Sequence, residues 1–249
     1  MKYVLLGNGA VAARFLATVT HRPPVLVVLN SPDRQRAAGE LRRAADSIGT
    51  EVVEWSPAVR DRLMGLVREP DCWLLSVYFA HLLDAELLAA AQGRAVNLHA
   101  SLLPWCRGAN TNVWPLVEHC PAGVTLHVMV PAVDAGAVLA QREVPVRPWD
   151  TAASLYSRLE QAALQLLLDE WPDGVLQRWP GVPQQEGGSM HRVRDMAALD
   201  SFDLDAHPDA RKLYDLLRAR SFPPYGGLKL KVDGQVVEAR IELKEPAGE

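Results

Sequence analysis

Over its first hundred residues the chain alternates short apolar runs with charged or Ala-rich stretches, and this alternation constrains the fold most. Residues 3–6 are apolar and stop at Gly7-Asn8-Gly9, after which 10–19 read as a helix. Residues 25–29 form a strand-like run stopped by Asn30-Ser31-Pro32, and 34–48 suit an exposed helix. Further strands are predicted over 51–53, 72–77 and 95–98, with helices over 63–68 and 81–91. Strands alternating with helices build right-handed βαβ units around a parallel sheet, whose ligands gather at the C-terminal strand ends. The expected class is α/β: a Rossmann-like, mostly parallel sheet with helices on both faces.

The pattern changes beyond residue 100. A loop over 101–108 and a short helix over 112–118 precede two strands, 123–130 and 137–146, which suit an antiparallel pair. The longest helix is predicted over 151–170, with Leu155, Leu159, Ala162, Leu166 and Leu167 on its apolar face and Asp150 or Thr151 as cap. The Pro- and Gly-rich stretch 179–188 reads as a boundary. Beyond it come a helix near 208–220 and a hairpin, 228–232 and 236–243, turning at Asp233-Gly234. The expected division is a catalytic domain over 1–180 and a small C-terminal α+β subdomain over 181–249.

Charge and cysteine content narrow the function classes. A net charge of -4 leaves no broad basic surface for nucleic acid. No apolar run reaches the roughly 18–20 residues that span a bilayer, and no export signal is evident, so a cytoplasmic setting is expected. Cys72, Cys106 and Cys120 then read as reduced thiols, and without CxxC spacing neither a zinc ribbon or other metal site nor a dithiol site is expected.

Two constellations carry chemistry. Gly7-Asn8-Gly9-Ala10-Val11-Ala12 fits a dinucleotide turn, but no acidic residue ends the second strand, and a tight strand-to-helix turn needs the glycines anyway. Asn97 and His99, two apart at a strand end, project from one face, and Asp134 lies in a later turn before Gly136. An amide, an imidazole and a carboxylate suit acyl transfer: oxyanion stabilisation, proton movement and orientation of the ring. No serine or cysteine sits in a nucleophile-elbow context, so the attacking group would come from the substrate. Spacing alone equally allows an interior histidine and a turn aspartate. His127, mid-strand, reads as structural and His81 as a surface or capping residue.

The ordered set Asn97-Leu98-His99-Ala100-Ser101-Leu102-Leu103-Pro104, Gly123-Val124-Thr125-Leu126-His127 and Asp134-x-Gly136 resembles the formyltransferase-fold enzymes that use 10-formyltetrahydrofolate. The surrounding layout extends the resemblance over roughly residues 1–180. It implies an N-formyltransferase with Asn97, His99 and Asp134 catalytic, acting on an amine with 10-formyltetrahydrofolate as co-substrate and no metal. The segment 76–83 is similar to the family's folate-docking segment, which implies folate contacts from Ser76, Tyr78, Phe79, Ala80 and Leu83, with Asp134.

The glycine turn lacks the serine of the glycinamide ribonucleotide enzymes, and only some 70 residues follow the core, short for the basic appendage of the methionyl-tRNA enzymes. The run Pro104-Trp105-Cys106-Arg107-Gly108, continuing to Trp114, is most similar to the nucleotide-sugar N-formyltransferases, departing at Cys106 and Thr111. That likeness implies acceptor contacts from Ser101, Trp105, Arg107 and Gly108, and a nucleotide-linked amino sugar as acceptor. The alternatives are a methionyl-tRNA formyltransferase with a reduced tail and a folate-binding relative without turnover. The tail hairpin also offers strand edges for a homodimer.

Overall fold

The computed structural model describes residues 1–204 and 209–245. In chain order the elements are β1 (Lys2–Gly7), α1 (Gly9–Thr18), β2 (Leu26–Leu29), α2 (Ala38–Ser47), β3 (Val52–Glu54), α3 (Pro57–Val67) and β4 (Cys72–Val77). They continue with α4 (Ala85–Ala91), β5 (Ala95–His99), β6 (Arg107–Gly108), α5 (Trp114–Glu118), β7 (Gly123–Val128), β8 (Val138–Glu143), α6 (Ala152–Glu170) and α7 (Asp173–Arg178). The remainder is β9 (Met190–His191), a 3-10 turn over Val193–Leu199, β10 (Ser201–Asp203), α8 (Ala210–Ala219), β11 (Leu228–Val232) and β12 (Gln235–Ala239). Two compact units result, one from 1–99, 124–142 and 161–185, the other from 100–123, 143–160 and the described part of 186–249.

The first unit is built on a seven-stranded sheet in the order β3-β2-β1-β4-β5-β7-β8. β1, β2, β3, β4 and β5 pair in parallel, as the alternating pattern predicts, and β7 joins antiparallel to β5. Parallel strands covered on both faces are continuously apolar, and β2 and β4 are buried at every position. One side of the sheet packs Val4, Leu6, Val28 and Leu74 against Leu63 and Val67 of α3 and Leu87 of α4. The order reverses at β1, with β2 on one side and β4 on the other.

Two helices start later than the sequence pattern suggests. Asp84 accepts a hydrogen bond from Leu87 N at 2.9 Å and caps α4, so residues 81–84 are loop. Ahead of α2, the Gln35 side chain accepts from Asn30 N and Asn8 accepts from Arg36 N, which holds 30–36 out of the helix. Helix α6 starts as expected: Thr151 and Ser154 exchange side-chain-to-backbone hydrogen bonds across its first turn. Its buried face takes Ala163, four residues after Leu159, where Ala162 was expected.

In the second unit, β10, β11 and β12 form a small sheet, and β6 pairs in parallel with β9. Asp233 and Gly234 both take positive φ, 48° and 74°, as a two-residue hairpin turn requires. β12 ends at Ala239, short of the expected residue 243, because Ile241 N turns away to donate to Ser221 Oγ at 2.9 Å. Helix α8 is capped by Asp209, which accepts from Lys212 N; its expected start at Pro208 lies outside the described residues.

Candidate active site

Asn97 and His99 share one face of β5, and the antiparallel register sets Asn97 opposite His127 and His99 opposite Thr125. Asn97 Nδ2 lies 3.2 Å from His127 Nε2, while His127 Nδ1 lies 2.9 Å from the Val128 carbonyl oxygen. A carbonyl only accepts, so Nδ1 carries the proton, and in the neutral ring Nε2 accepts from Asn97. The β7–β8 turn then brings Asp134 to both rings, with Oδ2 3.5 Å from His99 Nδ1 and Oδ1 3.4 Å from His127 Nε2. The His99 contact is longer than a charge-assisted hydrogen bond; His127 Nε2, an acceptor in the neutral ring, attracts the carboxylate only when the ring is protonated.

Backbone chemistry fixes the carboxylate in place. Asp134 holds a left-handed φ of 49°, and a Cβ on Gly136 would lie 1.7 Å from the Val128 carbonyl oxygen. Only glycine lets the turn fold this closely onto β7. Gln184 Nε2 donates to the carbonyls of Asp134 at 2.7 Å and Gly136 at 2.9 Å. The three residues expected from sequence therefore meet in one cluster. His127, read as structural, is a member of it, and Gln184 braces it. His127 becomes visible only once the β5–β7 register is known.

The candidate folate residues follow from β4. Ser76 is buried and sits beside Asn97 in register. Tyr78 takes a φ of 57° and starts an irregular segment that lasts to Asp84. Phe79 packs edge-on to Trp55 at 5.4 Å, and Ala80 N donates to Asn30 Oδ1 at 2.9 Å. Leu83 is buried in the core beside Leu87. His81 stacks on Trp55 and lies 3.2 Å from Ser31 Oγ; burial, with the Arg34 charge, lowers its pKa. The glycine turn is closed by its own chain: Asn8 Oδ1 accepts from Arg36 N at 2.7 Å and Gly9 N donates to Arg36 O.

The four candidate acceptor residues belong to the second unit. Ser101 is buried, Trp105 is 37% exposed, and Arg107 and Gly108 form β6 against Met190 and His191. A Cβ on Gly108 would lie 2.2 Å from the His191 carbonyl oxygen, so this pairing also demands glycine. Trp114 stacks on the His191 ring at 3.7 Å, and His191 Nε2 lies 2.9 Å from Glu118 Oε1. Arg107 Nε is buried with no hydrogen-bond partner among the described residues.

Residues 1–170, which include Asn97, His99, His127 and Asp134, match the family model for formyl transferases. The chain belongs to the formyl transferase family. As a formyl transferase it is an enzyme of group transfer. Its fold is similar to a sugar N-formyltransferase from Shewanella, at 24% identity over 99% of this chain and 100% of that one, with a TM-score of 0.79. A 4-N formyltransferase from Francisella tularensis is similar at 19% identity over 98% of each chain, with a TM-score of 0.77. The formyltransferase PseJ from Anoxybacillus kamchatkensis is 28% identical over 77% of this chain and 97% of its own, with a TM-score of 0.56. That structure is a complex with UDP-4,6-dideoxy-4-formamido-L-AltNAc and tetrahydrofolate. No described helix of this formyl transferase is long and apolar enough to cross a membrane.

Proposed function

We propose that this enzyme transfers a formyl group from 10-formyltetrahydrofolate to the amine of a nucleotide-linked amino sugar. The observation that carries the reading is the β5–β7 register, which gathers Asn97, His99 and Asp134 at one strand end inside the family-matched segment. The whole-length likeness to sugar N-formyltransferases, tail included, supports the acceptor class.

Bound 10-formyltetrahydrofolate supplies an electrophilic formyl carbon on a nitrogen that can leave. The chain supplies the rest. The Asn97 amide has two N–H groups; one donates to His127 and the other is the oxyanion donor. His99, with Nδ1 toward Asp134, presents Nε2 for proton movement, and the Asp134 carboxylate stabilises the ring when it is charged. The irregular segment 79–83 beside Ser76 offers backbone edges suited to a pterin. Arg107, with its buried Nε, suits a diphosphate oxygen.

The test is incubation of the purified enzyme with 10-formyltetrahydrofolate and a panel of nucleotide-linked amino sugars, read by mass spectrometry. One amino sugar is expected to gain a formyl group. Formylation of methionyl-tRNA with every amino sugar untouched would overturn the acceptor assignment.

A further inference from the structure

Cys106 and Cys120 have no part in the chemistry above, yet both are buried in the second unit with their Sγ atoms 3.2 Å apart. We propose that this pair is a site of reversible oxidation, closing to a Cys106–Cys120 disulfide with a hydroperoxide as oxidant. The backbone on both sides is already anchored. Cys106 N donates to Ser189 Oγ at 3.1 Å and Arg107 N to Ser189 O at 2.9 Å. On the other side, Glu118, two residues before Cys120, pairs with His191, which stacks on Trp114. The sulfurs therefore face each other without any loop having to order, and preorganisation of this kind favours intramolecular attack.

The steps balance. The Cys120 thiolate attacks the peroxide oxygen, giving a sulfenic acid and hydroxide. The Cys106 sulfur then attacks that sulfenic sulfur, completing the disulfide and expelling the oxygen as hydroxide, which takes the Cys106 proton and leaves as water. The hydroxide from the peroxide takes the proton Cys120 gave up. Two thiols lose two electrons and two protons, and the peroxide is reduced to two waters. The order follows from access: either sulfur can donate in the 3.2 Å contact, and the one nearer the surface meets the peroxide first. Cys120 is the more exposed, at 7% against 0%.

A metal is the competing occupant, since a Glu118 carboxylate oxygen and both sulfurs lie within 4.8 Å of one another. Tetrahedral zinc with Zn–S bonds of about 2.3 Å holds its sulfurs roughly 3.8 Å apart. The observed 3.2 Å is short for that geometry, and the Glu118 carboxylate lies 2.9 Å from the His191 ring nitrogen. Oxidation is the better fit.

Hydrogen peroxide on the folded, full-length chain tests it, with thiols counted after unfolding and peptides mapped after trypsin without reductant. Cleavage after Arg107 leaves Cys106 and Cys120 on separate peptides unless they are bridged. The count is expected to fall from three thiols to one, with the bridged pair recovered and dithiothreitol restoring all three. Overturning results are a count that stays at three, a bridge that includes Cys72 of β4, or one equivalent of copurified zinc that shields both thiols. Because Arg107 follows Cys106, oxidation is also expected to raise the acceptor KM. That consequence rests on the acceptor-loop reading; the thiol count does not.

Discussion

At the end of β1, Asn8 accepts a 2.7 Å hydrogen bond from the Arg36 amide; at the end of β5, Asn97 reaches His127 at 3.2 Å within a cluster that includes His99 and Asp134. Both strand ends lie in one parallel sheet, and both sequences advertised a ligand site. The first is filled by its own chain, because a glycine turn and a short amide contact fold residues 30–36 against it. The second gathers an amide, two imidazoles and a carboxylate, held 3.2–3.5 Å from one another. A polar side chain bonded tightly to backbone holds a loop. Side chains set loosely among titratable neighbours suit the proton movement proposed for them.

The largest expected effect tests the chemical end. His99→Ala and Asp134→Ala are each expected to lower turnover at least about a hundredfold, the usual range for acid–base and oxyanion groups. For His99→Ala, folate binding by fluorescence and the melting temperature should change little. Unchanged turnover in either variant erases the distinction between the two strand ends.

The scaffold end is read in stability. Asn8 is 9% exposed, and Asn8→Ala leaves the Arg36 amide without its acceptor. Arg36 lies at the surface, so the loss is that of one hydrogen bond, about 0.5–1.5 kcal/mol, and the urea midpoint should fall while kcat holds. A kcat loss comparable to that of His99→Ala would show that the glycine turn belongs to the reaction after all.

How far each end could be read from sequence follows from the range of the contacts. The parallel strands and their helices are local patterns, and the pairing of Asn97 with His99 needs only the period of a strand. His127 was missed because its place depends on an antiparallel register with a strand some 25 residues further on, which no local pattern sets. Gln184 was missed for the same reason: its side chain serves two carbonyls of the 134–136 turn from a segment that read as a boundary. Asn8 looked like part of a ligand turn because its backbone partner, the Arg36 amide, is a contact only the fold creates.

His127 sharpens the comparison from inside the cluster. Its Nε2 accepts from Asn97, so His127→Ala frees the amide to rotate away from the oxyanion position proposed for it. Misplacement of this kind is expected to lower kcat by about tenfold, less than removal of His99. The folate KM and the acidic limb of the pH profile should stay near wild type, which separates a positioning residue from the proton carrier. A shifted acidic limb would instead make His127 the group that titrates.

The smallest effect contrasts two carboxylates. Asp134 meets two histidines at 3.4–3.5 Å, whereas Asp84 caps α4 and binds Arg60 at 2.8 and 3.1 Å. The Arg60 guanidinium, helped by the Leu87 amide, lowers the Asp84 pKa from 3.8 to about 2. A depressed folded pKa makes the ionised carboxylate stabilising above about 3.8, and that contribution fades as pH falls toward about 2. Asp84 is 47% exposed, so water screens the ion pair and the cap supplies most of the effect. Asp84→Ala should therefore destabilise by about 1 kcal/mol at neutral pH. The gap to wild type should narrow between pH 4 and pH 2 in thermal melts, with turnover at neutral pH unchanged. A gap that persists at pH 2 would locate the loss in packing instead of charge. A fall in turnover like that of Asp134→Ala would mean that a tightly bonded helix-capping carboxylate also serves the reaction.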